Sequence, residues 1–402
     1  MTPPCAFLEW SELRTVTGAE GRFFVPSPSF WPIMSIVQLG QIKTDTKTSA
    51  SQSELRFRQL RIPLPNRFPI SSERNALKPA GVKEPLPGEV AVLARLAPPD
   101  TLKRILTQED SLKSTARFLS KETGADAIRL LYLSFRGGAM VSEARDLKTM
   151  LDLQYLAGLD LITVQHTVGM SPEAFDANLR FAEKWMEERG VEKPLMPVVQ
   201  ATDNRELASL LLQTIEKHDP HALGFDLRGG FYYHALREIE EFKKRKPETW
   251  VHALQVPPKV RFGRQLMPCS EGMILPMFGV DSFSRWIVPP PPTPLTKEVI
   301  NLFDRKGWGS LKKRDFESLR GNNPNCSCAV CQGKDLEPFY EGKVLDVLAR
   351  AKVHDHLAQR EELVTARQSI QKGEYLSLLN SREYPREFLK QIPKGDGSKK
   401  SS

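Results

Sequence analysis

From about residue 99 to 286, short β-rich apolar runs alternate with stretches whose apolar residues recur at helical spacing, the pattern of consecutive βα units. Strands are predicted at Ala127–Ser134, Leu159–Val164, Leu195–Gln200, Ala222–Leu227, Trp250–Val256 and Met273–Val280. Between them, Ser171-Pro172-Glu173 reads as an N-cap, a first-turn proline and an acidic first turn. That helix turns Phe175, Leu179 and Met186 inward and stops at Gly190. The next presents Leu207, Leu210, Leu211 and Ile215, and a third carries Leu236, Ile239 and Phe242 ahead of the basic run Lys243 to Lys246. Six such strands, with one or two more near the N-terminus, predict an α/β fold of the TIM (β/α)8 barrel class. Residues 41–90 break the rhythm. They are rich in Ser, Thr, Pro and Lys and read as an irregular insertion or loop. Proline crowds Pro289 to Pro292 and Pro294, an extended spacer after the barrel. The expected organisation is a barrel over 1–295, a C-terminal subdomain over 296–390 and a disordered tail over 391–402.

The length of 402 residues suits two or three domains, or one large barrel carrying additions. No apolar stretch approaches the roughly 18 residues of a membrane span, so no membrane partner is expected. Met1 to Trp10 shows no basic region followed by an apolar one, which points to the cytoplasm. The net charge of +8 is compatible with a polyanionic partner but does not require one.

Cysteine placement says more. Cys326, Cys328 and Cys331 stand within six residues, while Cys5 and Cys269 are isolated, an arrangement unsuited to a disulfide framework. His354 and His356 follow on a predicted helix. Three thiolates and one imidazole complete a tetrahedral zinc site with no open position for water, so the expected Zn2+ is structural.

The segment Asn325-Cys-Ser-Cys-Ala-Val-Cys-Gln332, with His354 and the run ending Arg367-Gln-Ser-Ile-Gln-Lys-Gly373, closely resembles the C-terminal zinc subdomain of the tRNA-guanine transglycosylases. Two further stretches are similar to that family. Arg22-Phe-Phe-Val-Pro-Ser-Pro-Ser-Phe-Trp-Pro-Ile-Met34 resembles its first barrel strand, and Phe278-Gly-Val-Asp-Ser-Phe-Ser284 its Gly-x-Asp-x-Phe-Asp strand end. The resemblance implies a TIM barrel bearing a zinc-binding helical subdomain, with Cys326, Cys328, Cys331 and His354 as ligands. Counted back from Gly373, the family's histidine falls on His354 and leaves His356 outside the set.

It also implies a reaction. An aspartate attacks the anomeric carbon of a guanosine in tRNA or DNA, guanine leaves, and a 7-deazaguanine base replaces it. Barrel enzymes carry their chemistry at the carboxyl ends of the strands, which nominates His166, Gln200, Asp226, Arg228 and Asp281 and expects them to converge. Gln200 matches the family's base-recognising glutamine, and His166 falls where a base-recognising aspartate stands. The nucleophile's position reads Ser284, and Phe135 in Ser134-Phe-Arg-Gly-Gly138 replaces the other key aspartate. Two readings stay open: a divergent transferase in which Asp281 is the nucleophile, or a catalytically silent paralogue that binds nucleic acid or a catalytic partner, as a homodimer or heterodimer.

Arg305-Lys306-Gly-Trp308-Gly-Ser-Leu-Lys312-Lys313-Arg314 interleaves cations with an aromatic. Such a segment can neutralise phosphates and stack on an unpaired base, which makes it the expected nucleic-acid contact.

Overall fold

The computed structural model describes residues 37–83, 90–121, 127–135, 144–262, 264–287, 300–312, 315, 326–334 and 337–392. The segment resembling a first barrel strand, residues 136–138 of the Ser134–Gly138 stretch, the proline run, residues 393–402 of the tail, Lys313 and Arg314 lie outside them.

An antiparallel meander opens the described chain: β1 (Gln38–Thr44), β2 (Ser51–Phe57) and β3 (Leu60–Leu64), paired in that order. The expectation of an irregular insertion over 41–90 is therefore corrected. Leu55, Phe57, Ile62 and Leu64 are buried at every second position, a period-two signal interleaved with Ser, Arg and Pro that composition hides.

Parallel strands follow, separated by helices: β4 (Asn66–Phe68), α1 (Ser71–Arg74), β5 (Val90–Ala97), α2 (Pro99–Thr107), α3 (Glu109–Lys121), β6 (Ile128–Phe135), α4 (Ala144–Leu156), β7 (Ile162–Gln165), α5 (Pro172–Glu188), β8 (Leu195–Gln200), α6 (Arg205–Glu216), β9 (Ala222–Asp226), α7 (Tyr233–Arg245) and β10 (Trp250–Val256). A small hairpin, β11 (Arg261–Phe262) and β12 (Gln265–Leu266), and a short helix α8 (Glu271–Ile274) precede β13 (Ser282–Arg285). The six-stranded parallel sheet has the order β4-β13-β10-β9-β8-β7, and β5 pairs with β6 in a second parallel ladder. A parallel bridge between Ile70 and Val92 joins the two at one side. At the other, the Asp160 and Leu161 N–H groups donate to the Arg129 carbonyl and side chains continue the seam: the Gln165 amide donates to the Leu133 carbonyl at 3.0 Å and accepts from the Leu133 N–H at 3.1 Å, and Thr163 Oγ1 donates to the Leu131 carbonyl.

Alternate residues of these strands separate into two cores. Phe68, Val90, Val92, Leu130, Tyr132, Met196, Val198, Ala222, Trp250 and Leu254 share one cluster with the apolar face of the meander. Val199, Leu223, Phe225, Val251, Ala253 and Phe283 face the other way, onto helix residues such as Phe175, Leu211, Leu236 and Ile239. Ser171 caps α5 as expected, its hydroxyl accepting the Ala174 N–H at 3.2 Å. Leu210 was expected inward and is instead exposed, because Leu211 and Leu212 fill the α6 contact.

The strand predicted at Met273–Val280 is also corrected. Those residues form the end of α8 and a 3-10 turn over Leu275–Phe278, closed by Gly279 at φ +79°, and the strand begins at Ser282. An apolar run buried on all sides has no periodicity to separate helix from strand, and Pro276 opposes a central strand.

The shift moves Asp281 to the amino-terminal edge of the sheet, beside Val251. Its Oδ2 accepts from Lys243 Nζ at 2.7 Å and from the Val251 N–H at 2.8 Å, and both side chains of the ion pair are buried. Removing one member strands the other charge in the core. Asp281→Ala should cost about 3–5 kcal/mol in urea unfolding; a loss no larger than that of an exposed surface substitution would remove this pair from the fold's supports.

Candidate functional site

After β13, β14 (Asn301–Asp304) and β15 (Gly309–Lys312) form an antiparallel pair packed on a 29-residue helix, α9 (Val344–Lys372), which is followed by α10 (Tyr375–Ser381) and α11 (Glu383–Gln391). The Cys326–Cys331 knuckle folds against α9. The Gly333 N–H donates to the Cys326 carbonyl, and the Gln332 N–H to that of Cys328. Cys326, Cys328 and Cys331 Sγ lie 3.7, 3.5 and 3.3 Å from His354 Nδ1, all four residues buried. A tetrahedral ion with S and N ligands at ordinary zinc distances places sulfur and nitrogen about 3.6 Å apart. His354 Nε2 donates to the Phe303 carbonyl at 3.1 Å, which fixes the tautomer that leaves Nδ1 free to ligate. The cluster thus fits a metal ion with four protein ligands. His356, expected outside the ligand set, is wholly buried, and neither ring nitrogen has a partner among the described residues.

The carboxyl edge of the sheet brings together some of the predicted residues. Gln200 and Asp226 are register partners on β8 and β9. Asp226 Oδ1 accepts the Arg228 N–H at 2.8 Å, and Oδ2 accepts the Tyr132 hydroxyl at 2.7 Å, reaching across from β6. Arg228 is exposed on a turn with positive φ, continued by Gly229, where a Cβ would lie 2.7 Å from the Trp286 ring. His166 is buried against Phe175 of α5, its Nε2 3.0 Å from the Met170 carbonyl, and burial lowers its pKa. Asp281 does not join the group, so the expected convergence of five residues is not observed: the attacking carboxylate assigned to it faces Lys243 at the opposite edge.

Ser284 occupies β13 opposite Phe68. Its hydroxyl lies 3.2 Å from His252 Nε2, while His252 Nδ1 lies 2.8 Å from Ser282 Oγ, which also accepts the Trp250 indole N–H at 2.8 Å. All four are buried, and burial pushes the His252 pKa down to about 3. Tyr132 and His252 escaped sequence reasoning because mid-strand polar residues give no motif; only their alternation with Leu130 and Trp250 assigns them to that face. Glu271 is a further buried carboxyl, its pKa raised well above the ordinary range by burial and both its oxygens without a partner among the described residues.

The basic segment is arranged for packing. Trp308 is fully buried, its indole N–H donating to Glu362 Oε2 at 2.9 Å, with the Arg382 guanidinium over its ring. Arg305 pairs with Glu361 and Glu362. Lys306 is exposed and Lys312 half-buried. The expectation that Trp308 stacks on a base is corrected: it is a core residue of the C-terminal region.

No protein-family profile matches the chain, and no curated protein matches it. Among the described residues no helix is long and apolar enough to cross a membrane.

Two outcomes follow from this geometry. Cys328→Ser should lose the bound metal and loosen the C-terminal helices while much of the parallel sheet persists; metal analysis that finds full occupancy in the variant refutes the ligand set. His252 protonates near pH 3 when folded and near 6.5 when unfolded. Between those values the unfolded state binds the extra proton, so stability is intact above about pH 6.5 and falls by about 1.4 kcal/mol per unit below it. His252→Asn should flatten that slope in urea titrations from pH 7 to 5, and an unchanged slope would assign acid lability elsewhere.

Proposed function

We propose that the eight parallel strands close into a TIM barrel, that the Cys3His cluster holds a structural zinc ion, and that the chain is a transglycosylase-like subunit that binds nucleic acid or a catalytic partner without itself forming the covalent sugar intermediate. The Tyr132–Asp226 hydrogen bond supports closure, because it joins β6 to β9 past β7 and β8, which a flat sheet does not permit. The donor set and its 3.3–3.7 Å spacing support zinc.

One observation carries the non-catalytic reading: the position of the family's nucleophile holds Ser284, hydrogen-bonded to a histidine too weakly basic to activate it. Asp226, the nearby carboxylate, has both oxygens engaged. Gln200 beside Asp226 still offers the mixed acceptors and donors that suit a guanine edge, in keeping with base binding that outlasts the chemistry. Labelled guanine and a labelled 7-deazaguanine, each incubated with purified protein and bulk tRNA or duplex DNA, test it. No incorporation is expected from wild type or Ser284→Ala. Incorporation by wild type that Asp226→Asn abolishes would overturn the reading in favour of base exchange.

A further inference from the structure

A second site stands apart from the Gln200–Asp226 edge. Arg67, the middle residue of β4, points away from the face that holds Phe68 and is buried beneath α9. Its Nη2 pairs with Glu73, whose other oxygen accepts the Ile70 N–H at 3.1 Å. Arg67 Nε and Nη1 have no acceptor among the described residues, although a buried guanidinium donor without one is costly. Arg67 lines a recess of about 290 Å³, its open mouth included, between the carboxyl ends of β10 and β13 and the helix α9. Arg285, Ser270, Asp355 and Gln359 line it too.

The charged residues lining this recess are Arg67, Arg285 and Asp355. Asp355 is already engaged, Oδ1 accepting the Phe303 N–H at 2.8 Å and Oδ2 facing Arg285 Nη1 at 3.3 Å. Glu73 is taken by Arg67. Arg67 and Arg285 are thus each paired with one carboxylate, and what stays unmet is the two guanidinium donors of Arg67. An oxyanion accepts charge-assisted hydrogen bonds from such donors. Ser270 Oγ accepts from the Gln359 amide at 3.3 Å, which leaves its own proton available to a ligand.

We infer that this recess is an anion site for a phosphate group, gripped by the free fork of Arg67 and by Arg285, with the Ser270 hydroxyl as a further donor. The site is independent of the transglycosylase-like reading, and its test involves no base exchange. Full-length, metal-loaded protein is titrated with inorganic phosphate at ionic strength held constant with chloride, followed by calorimetry and thermal unfolding. Saturable one-to-one binding with a rising Tm is expected. Arg285→Met, at a partly exposed position, should keep the metal content and circular dichroism of wild type and weaken phosphate by about tenfold or more. Arg67→Lys, which retains a cation for Glu73 but removes the fork, should do the same. A nucleoside 5′-monophosphate that displaces phosphate assigns the site to phosphate esters, and one that does not assigns it to the free anion; either supports the site. A non-saturating response in wild type, or equal affinity in a folded Arg285→Met protein, overturns it.

Discussion

The peptide of Phe303 is held from both sides by consecutive residues of one helix. His354 Nε2 takes its carbonyl and Asp355 Oδ1 takes its N–H. One clamp therefore orients the metal-binding imidazole, and the other aims the Asp355 carboxylate, whose second oxygen reaches Arg285 at the end of β13. Farther along, Glu362 collects Arg305, Trp308 and Arg382, and Arg367 donates to the Pro65 carbonyl beside β4. After the helix turns at Gly373, Tyr375 donates its N–H to Asp45 and its hydroxyl to the Met273 carbonyl. A 29-residue helix of weak amphipathicity would have little reason to stay helical alone; here it is fixed at successive turns to the meander, the sheet and the knuckle. His354, in the amino-terminal half of the same rod, faces the three cysteines of the knuckle, so an ion held by that cluster would reinforce helix docking.

How much of this was legible depended on whether the signal was local. The Cys3His cluster was legible because cysteines at Cys-x-Cys-x-x-Cys spacing have few other uses, and His354 required only a helix facing them. The strands Leu195–Gln200 and Trp250–Val256 were found at their observed bounds, each a dense apolar run between turn signals. The meander was missed because its inward Leu and Ile residues alternate with serine, arginine and proline. The basic segment misled for the opposite reason: cations around a tryptophan read as a nucleic-acid platform until Glu361 and Glu362, more than fifty residues later, are folded against them. Sequence shows a charge, but only the fold shows its partner.

The same lesson separates the two aspartates at the strand ends. Asp281 and Asp226 look alike in sequence, each closing an apolar run. Where the strand begins decides between them: the helix and 3-10 turn before β13 delay it to Ser282, so Asp281 enters the sheet at its amino edge and meets Lys243, while Asp226 leaves β9 at the carboxyl edge beside Gln200. A buried carboxylate clamped by an ammonium and a backbone N–H serves the fold and is withheld from substrate. One accepting from a tyrosine and a turn N–H at the carboxyl edge stands where α/β proteins place their ligands.

The polar residues left inside the structure divide by how fully they are satisfied. Trp250, Ser282, His252 and Ser284 form a chain in which nearly every donor and acceptor is used, and such a chain rigidifies the strands it links. Gln165 and Thr163 likewise spend their polar atoms closing the β6–β7 seam. Other buried polar atoms have no partner among the described residues, including both ring nitrogens of His356, both carboxyl oxygens of Glu271, Gln200 Oε1 at the strand-end site and two guanidinium nitrogens of Arg67 beneath α9. Of these, Gln200 and Arg67 stand at the two candidate sites, where an approaching ligand could complete them. The two sites also differ in what they can complete. Gln200 and Asp226 offer an amide and a carboxylate, directional hydrogen-bonding groups suited to a base edge, whereas Arg67 and Arg285 offer positive charge with a planar fork, suited to an oxyanion.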